Sequence, residues 1–229
     1  LSPIKMFDFK ITHPIKRPDS CETHQILTTP IPCVIIAHPH QPSVSMSLIR
    51  RPRPHHARIA RAVTIGNFDG VHLGHSEILK ELVSVAKQRE LTPTVTTSAP
   101  NPKACIAKKA NQPIPKQILT LRDKARLLQS HGINDVVILP FNTHLANMSA
   151  QDFIKQILID ALNTQHLMVG DDFRFGAKRQ GDFALLTQEQ KTHGYTLASS
   201  PTVTLEDERV SSSAIRTALA MGNLTQATQ

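Results

Sequence analysis

The chain has 229 residues, 40% of them hydrophobic and 19% charged, which are the proportions of a globular protein with a sizeable core and not of a disordered or collagen-like one. A net charge of +8 and a pI near 9.7 favour anionic partners, with phosphates on nucleotides, nucleic acid and lipid headgroups all eligible. Cys21, Cys33 and Cys105 are odd in number and lack C-x-x-C spacing, which argues against a disulfide framework and fits a reducing cytoplasm, and the apolar run from Ile31 to Ala37, broken by Pro32, is too short to span a bilayer.

The first stretch, residues 1–60, is predicted to be an irregular Pro- and Arg-rich extension. Pro3, Pro14, Pro18, Pro30, Pro32, Pro39, Pro42, Pro52 and Pro54 interrupt any helix or strand period. Asp8, Asp19 and Glu22 break up any signal or transit layout. Residues 1–45, upstream of Met46, are expected to lie outside the working protein. Arg50, Arg51, Arg53, Arg58 and Arg61, with His55 and His56 among them, read as a solvated arm in preference to a nucleic-acid or lipid patch.

From Arg61 to Gln229 short apolar runs alternate with longer amphipathic stretches, the pattern of an α/β fold with a mainly parallel sheet flanked by helices. Strands are expected near 62–65, 94–97, 135–139, 166–169 and 196–199, and helices near 75–89, 121–131, 150–162 and 184–193. Thr120-x-x-Asp123 and Ser149-x-x-Asp152 are capping boxes, and Gly132 and Gly194 stand where left-handed C-terminal caps belong. The connection 98–117, with Pro100, Pro102, Pro113 and Pro115 around Lys103, Lys108 and Lys109, reads either as an active-site flap or as a structureless insertion.

Three segments carry chemistry. Gly66-Asn67-Phe68-Asp69-Gly70-Val71-His72-Leu73-Gly74-His75 falls where a buried strand gives way to a helix. In an open parallel sheet the ligand crevice lies at the carboxyl ends of the strands, and the following helix aims unpaired N–H groups and partial positive charge at it. Gly66, Gly70 and Gly74 let the backbone turn and approach a ligand, and His72 and His75, three apart, face one side and meet one phosphate together. A bare His pair is an ordinary surface feature and Gly-x-x-Asp-Gly an ordinary turn; the place of this pattern at a strand-to-helix junction is what gives it meaning.

Further on, Asp171, Asp172 and Arg174 form a charged loop after a strand, suited to ribityl hydroxyls, a phosphate or a metal; alone it would read as an exposed loop. Ser211, Ser212 and Ser213 precede Ala214-Ile215-Arg216 at another helix start, either as an ordinary N-cap or as phosphate donors with Arg216 gripping phosphate oxygens.

The first segment resembles the signature of the nucleotidyltransferase superfamily, and its full wording resembles the FMN adenylyltransferase (FAD synthetase) domain of bacterial bifunctional riboflavin kinase/FAD synthetases. Val169-Gly170-Asp171-Asp172-Phe173-Arg174-Phe175-Gly176 is similar to that family's flavin-side motif, and Val210-Ser211-Ser212-Ser213-Ala214-Ile215-Arg216 to its S-S-T-x-I-R phosphate motif. The likeness runs from about Ala62 to Ala227. It implies a Rossmann-like nucleotidyltransferase fold and the conversion of FMN and ATP into FAD and pyrophosphate, with Mg²⁺ as cofactor. On that likeness His72, His75 and Arg216 are the catalytic set. Gly66, Asn67, Phe68, Gly74, Ser211, Ser212 and Ser213 bind ATP, while Asp69, Asp171, Asp172, Phe173 and Arg174 bind the flavin; the metal ligands are left unassigned.

The resemblance also implies a cytoplasmic enzyme acting on small molecules, with no membrane or nucleic-acid partner. Relatives continue into a riboflavin kinase domain with a G-x-P-T-x-N segment, which this sequence lacks, so kinase activity is not expected. Where the family has T-F-[DE]-P-x-P, this chain reads Thr97-Ser98-Ala99-Pro100-Asn101-Pro102, without the aromatic and the acid. That departure supports a second reading, an inactive or truncated paralogue that binds flavin or nucleotide without catalysis. Other nucleotidyltransferases share the H-x-G-H logic but not the Asp171–Gly176 wording, and a nucleic-acid module would rest on basic charge alone.

Overall fold

The computed structural model describes residues 46–200, 204–205 and 208–228. The stretch 1–45, expected to stand apart from the working protein, lies outside the described residues. Among them, no helix is long and apolar enough to cross a membrane.

The chain builds a six-stranded, all-parallel sheet from β1 (Ser47–Arg50), β2 (Arg61–Ile65), β3 (Thr92–Ala99), β4 (Asp135–Pro140), β5 (Thr164–Gly170) and β6 (Thr196–Ser200), in the order β1-β4-β3-β2-β5-β6. Each expected strand is present, lengthened at one or both ends. Within this sheet the unexpected strand is β1: the irregular reading through residue 60 does not hold for Ser47–Arg50, which pairs with Asp135–Ile138 of β4 at the sheet edge. A four-residue edge strand followed at once by Arg51 and Pro52 carries too few alternating positions for a period to show.

Both faces of the sheet are covered, and neighbouring residues on one strand serve opposite cores. Ala62, Val136 and Met168 join Leu79, Leu82 and Ala86 of α1 (Leu73–Gln88) and Leu128 of α3 (Leu121–Ser130). Val63, Val137, Leu167 and Val169 turn the other way, toward Phe153, Ile154 and Leu158 of α5, which opens as Ala150–Asp152 and continues as the π-wound turn Phe153–Ala161, and toward Leu186 of α6 (Phe183–His193). The widened turn shows in the i→i−5 bond from Leu162 N–H to the Ile157 carbonyl, 3.1 Å.

Helix starts follow the expected chemistry. Thr120 Oγ1 accepts from the Asp123 N–H at 3.2 Å and Ser149 Oγ from the Asp152 N–H at 3.0 Å, while each hydroxyl donates back to the acid's carboxylate. Gly132 and Gly194 adopt the positive φ of C-terminal caps, +86° and +75°. The connection 98–117 is not structureless: it holds α2 (Pro102–Lys109), capped by Asn101, whose side chain accepts from the Lys103 N–H. Between α3 and α5 lies the short α4 (Thr143–Asn147), and after β6 come a two-stranded antiparallel pair, β7 (Thr204–Leu205) with β8 (Glu208–Arg209), then α7 (Ser212–Ala220) and α8 (Leu224–Thr228).

Candidate active site

Strand order decides where a ligand can sit. From β2 the chain moves outward through β3 to β4, then crosses back so that β5 and β6 line the other side of β2. This reversal splays the connections leaving β2 and β5 and opens a crevice at their carboxyl ends. A cleft of about 470 Å³ occupies that place, floored by Thr64, Ile65 and Gly66 from the end of β2, Gly170 from β5 and Ser200 from β6.

The turn after β2 forms one wall. Phe68 and Val71 hold left-handed backbone at φ +46° and +42°, a conformation that a β-branched residue resists, and both side chains are buried, so core packing holds the strained turn. Gly70 between them stands at φ +96°, where a Cβ would also meet Ile118 Cδ1 at 3.3 Å. The turn delivers His72 as the residue capping α1 and His75 within its first helical turn, their rings stacked at 3.7 Å and His75 also against Phe68 at 4.6 Å. Both imidazoles line the cleft. Burial, then the neighbouring His72, then Lys124 push the His75 imidazole down to about 3, so it is uncharged at neutral pH and keeps one N–H to donate. Its Nδ1 is buried without a hydrogen-bond partner among the described residues.

The expected site residues divide into two groups. Gly66, Phe68, His72, Gly74, His75, Asp172, Phe173 and Ser211 line the cleft together. Asp171, Arg174 and Ser213 are exposed and outside its lining: Asp171 accepts from the Ser199 hydroxyl, and Arg174 Nη1 turns to the Phe173 carbonyl at 3.0 Å. Asn67 contributes its carbonyl to the interior, where it accepts from Lys124 Nζ at 2.5 Å and Thr97 Oγ1 at 3.3 Å.

Asp69, expected beside the flavin, is 2% exposed and fully engaged within the protein. Its Oδ1 accepts from the N–H groups of Ile118 and Leu119 at 3.1 and 3.2 Å, and its Oδ2 from Arg216 Nη2 at 2.6 Å. Arg216, expected to grip phosphate, gives Nη2 to Asp69 and Nε to the Lys116 carbonyl at 2.7 Å, and Ser212 Oγ donates to the Asp69 carbonyl at 2.6 Å. Asp69, Arg216 and Ser212, through one side-chain pair and one bond to the Asp69 backbone carbonyl, tie the start of α7, with Ser211 at its N-cap, to the turn after β2 at the cleft rim. The cause is burial: a carboxylate removed from water needs a cation and N–H donors, and it finds them within the fold.

Two lysines were not among the expected site residues, although Lys103 lay in the connection read as an active-site flap or a structureless insertion. Lys103, in the first turn of α2, lines the cleft, and Pro102 before it concealed the helix that carries it. Lys124, one turn into α3, is buried beneath the turn after β2, whereas lysine on a helix face ordinarily signals solvent. Ser98 and Ala99, where the family pattern has an aromatic and an acid, end β3 outside the cleft lining.

A family model described as FAD synthetase matches residues 55–214. The bifunctional riboflavin kinase/FMN adenylyltransferase of Escherichia coli (strain K12) is 40% identical over 162 residues, covering 71% of this chain and 51% of that protein. The proteins of the same description from Haemophilus influenzae and Pseudomonas fluorescens are 38% and 39% identical, covering 71% and 73% of this chain and 52% of each relative. The chain thus spans about half the length of the curated relatives it matches. A solved structure described as a macrolide-efflux protein from Streptococcus pneumoniae superposes with a TM-score of 0.67 at 24% identity, covering 80% of this chain and 60% of that one, a likeness of fold alone.

Proposed function

Because the chain belongs to the FAD synthetase family, we propose that it transfers the AMP part of ATP to FMN, giving FAD and pyrophosphate. The observation that carries this reading is the pair of stacked imidazoles at the start of α1, opening on a cleft at the sheet's switch point. An oxygen of the FMN phosphate attacks the α-phosphorus of ATP in line. The new P–O bond forms as the bond to the β-phosphate oxygen breaks, and that oxygen leaves as pyrophosphate. The attacking phosphate is already an anion near neutral pH, so no general base is needed.

What remains for the protein is positioning and charge stabilisation. His72 and His75 donate toward the α-phosphate as its negative charge grows, helped by the N–H groups of the first turn of α1. Ser211 and the start of α7 face the departing phosphates across the cleft, held there by the Asp69–Arg216 brace. Asp172 and Phe173 form the flavin side. Phe173 stacks on Phe175, their rings 5.4 Å apart and 16° from parallel, which anchors this wall in the core. Mg²⁺ characteristically binds through one or two carboxylates together with substrate phosphates. Asp172 is a carboxylate in the cleft lining and would hold it there, and the bound ion would neutralise phosphate charge.

Incubating the chain with FMN, ATP and Mg²⁺ and separating the flavins by chromatography tests the reading. FAD and pyrophosphate should accumulate in equal amounts. Tight binding of FMN and ATP without FAD would instead favour the non-catalytic paralogue that Ser98 and Ala99 suggest, and absence of binding would sink both.

A further inference from the structure

Lys124 is 6% exposed, and its ammonium points into the underside of the turn that carries the imidazoles. It donates to the Asn67 carbonyl at 2.5 Å, a carbonyl that Thr97 Oγ1 also reaches from β3. Two residues on, Asp69 takes the N–H groups of Ile118 and Leu119, just ahead of α3. The same helix and the residues leading into it therefore hold the turn at two points, once through a carboxylate and once through an ammonium.

The charges do not cancel. Among the described residues, two cations, Lys124 and Arg216, and one carboxylate, Asp69, stand beneath the turn, and Arg216 already engages the carboxylate at 2.6 Å. Of these charges one positive charge is left over, withdrawn from water and close enough to act on the His75 imidazole. A buried ammonium is costly to a fold unless something compensates it, and a single carbonyl compensates it poorly. An anion on the other side of the turn would complete the balance.

We propose that Lys124 is a positioning residue of the phosphate cleft, fixing the Asn67–Asp69 turn beneath His75 and presenting positive charge to a phosphate ligand from behind that turn. The inference rests on the reading that the cleft holds the phosphates of ATP. It accounts for two further features. Burial lowers the Lys124 ammonium below the usual lysine range while Asp69 pulls it back up, and Lys124 is itself among the causes that hold His75 uncharged. A phosphate entering the cleft meets a neutral imidazole that donates without being locked to a counter-ion, and a cation one layer deeper whose charge water does not screen.

The test is a calorimetric titration of the folded chain with Mg²⁺ and ATP, using wild type, Lys124→Met and Lys124→Arg, with circular dichroism to verify folding. Lys124→Met should weaken ATP binding by at least about tenfold, the loss expected for one interaction with a charged group, and Lys124→Arg, which keeps the charge, should stay within about threefold of wild type. The His75 ring resonances, followed by NMR against pH, should titrate higher in Lys124→Met than in wild type and unchanged in Lys124→Arg; a purely structural lysine would not produce that split. Should Lys124→Met fail to fold, Lys124→Gln, which retains a donor without charge, is measured in its place with the same expected loss. ATP affinity within twofold of wild type in the folded charge-free variant, or a His75 titration that does not move in it, would overturn the proposal. Wild type that fails to bind ATP would overturn the proposed function itself.

Discussion

His75 concentrates the chemistry of the site in one ring. Its neighbours on either side are rings, His72 at 3.7 Å and Phe68 at 4.6 Å, so protonation would place a charge where little water reaches. With the imidazole held at about 3, its charge state does not change between pH 5 and 8, and FAD formation should show no ionisation of His75 across that range. The same depression has a stability consequence of definite sign. The unfolded chain takes up this proton below about pH 6.5 and the folded chain only near 3, so the protein loses stability as pH falls through that window. His75→Ala should therefore flatten the acid limb of a urea-midpoint profile while lowering turnover by roughly 10²–10³, the usual cost of losing one transition-state donor. Unchanged turnover would remove His75 from the mechanism. Asp69 makes the contrasting case, a residue of the same motif that acts through others. Asp69→Asn leaves Arg216 without its carboxylate, and breaking a buried pair of this kind costs about 3 kcal/mol. Thermal unfolding would read the loss, and ATP binding should fall with it because α7 loses its hold on the cleft rim.

At the scale of elements, legibility followed the strength of local signals. α1, α3 and α6 announce themselves by apolar period along the face each packs on the sheet, and β2, β4 and β5 by apolar runs, because neighbouring residues on each of these strands are buried in opposite cores. The elements that hid are those whose formation depends on tertiary partners. β1 exists through its ladder to β4, and α2 begins at a proline that looks like a breaker yet suits the first helical position. The widening of α5 left no mark in its apolar spacing. The histidines of the site were readable because their motif is contiguous, whereas the Asp69–Arg216 pair joins positions 147 residues apart and the burial of Lys124 is a property of packing alone. Packing also sets what α5 tolerates. Gly176 has φ +72°, and a Cβ there would stand 2.8 Å from the backbone N and Cα of Ala150, at the start of α5. Backbone cannot swing aside as a side-chain tip can, so Gly176→Ala should cost about 2 kcal/mol or more, seen as a lowered urea midpoint at unchanged slope.

Across the whole molecule, charge is buried at both ends of the sheet to different ends. At the carboxyl ends of the strands lies the Asp69–Arg216–Lys124 group, with an uncancelled cation beside the cleft. At the amino ends, Arg61 of β2 is 1% exposed and pairs with Asp135 of β4 at 3.0 Å, reaching across the position of β3. Its Nη1 also donates to the carbonyls of His56 at 2.6 Å, Ile59 at 2.9 Å and Leu162 at 3.1 Å. One guanidinium thus ties the short 3-10 turn Pro54–Arg58, the residue after α5 and two strands into a single floor. Here the charges do cancel and every bond is internal, as a purely structural site requires. Asp135→Ala would strand Arg61 without its counter-ion and should cost about 3 kcal/mol or more, since a lone buried charge is far worse than a replaced pair. The cleft lies at the opposite ends of these strands, so ATP affinity of the folded variant should stay within about twofold of wild type, as expected for independent sites. A chemical-denaturation curve paired with an ATP titration on that one variant separates the two ends: a large stability loss with intact binding is the expected result, and comparable losses in both would mean that the sheet transmits strain along its full length.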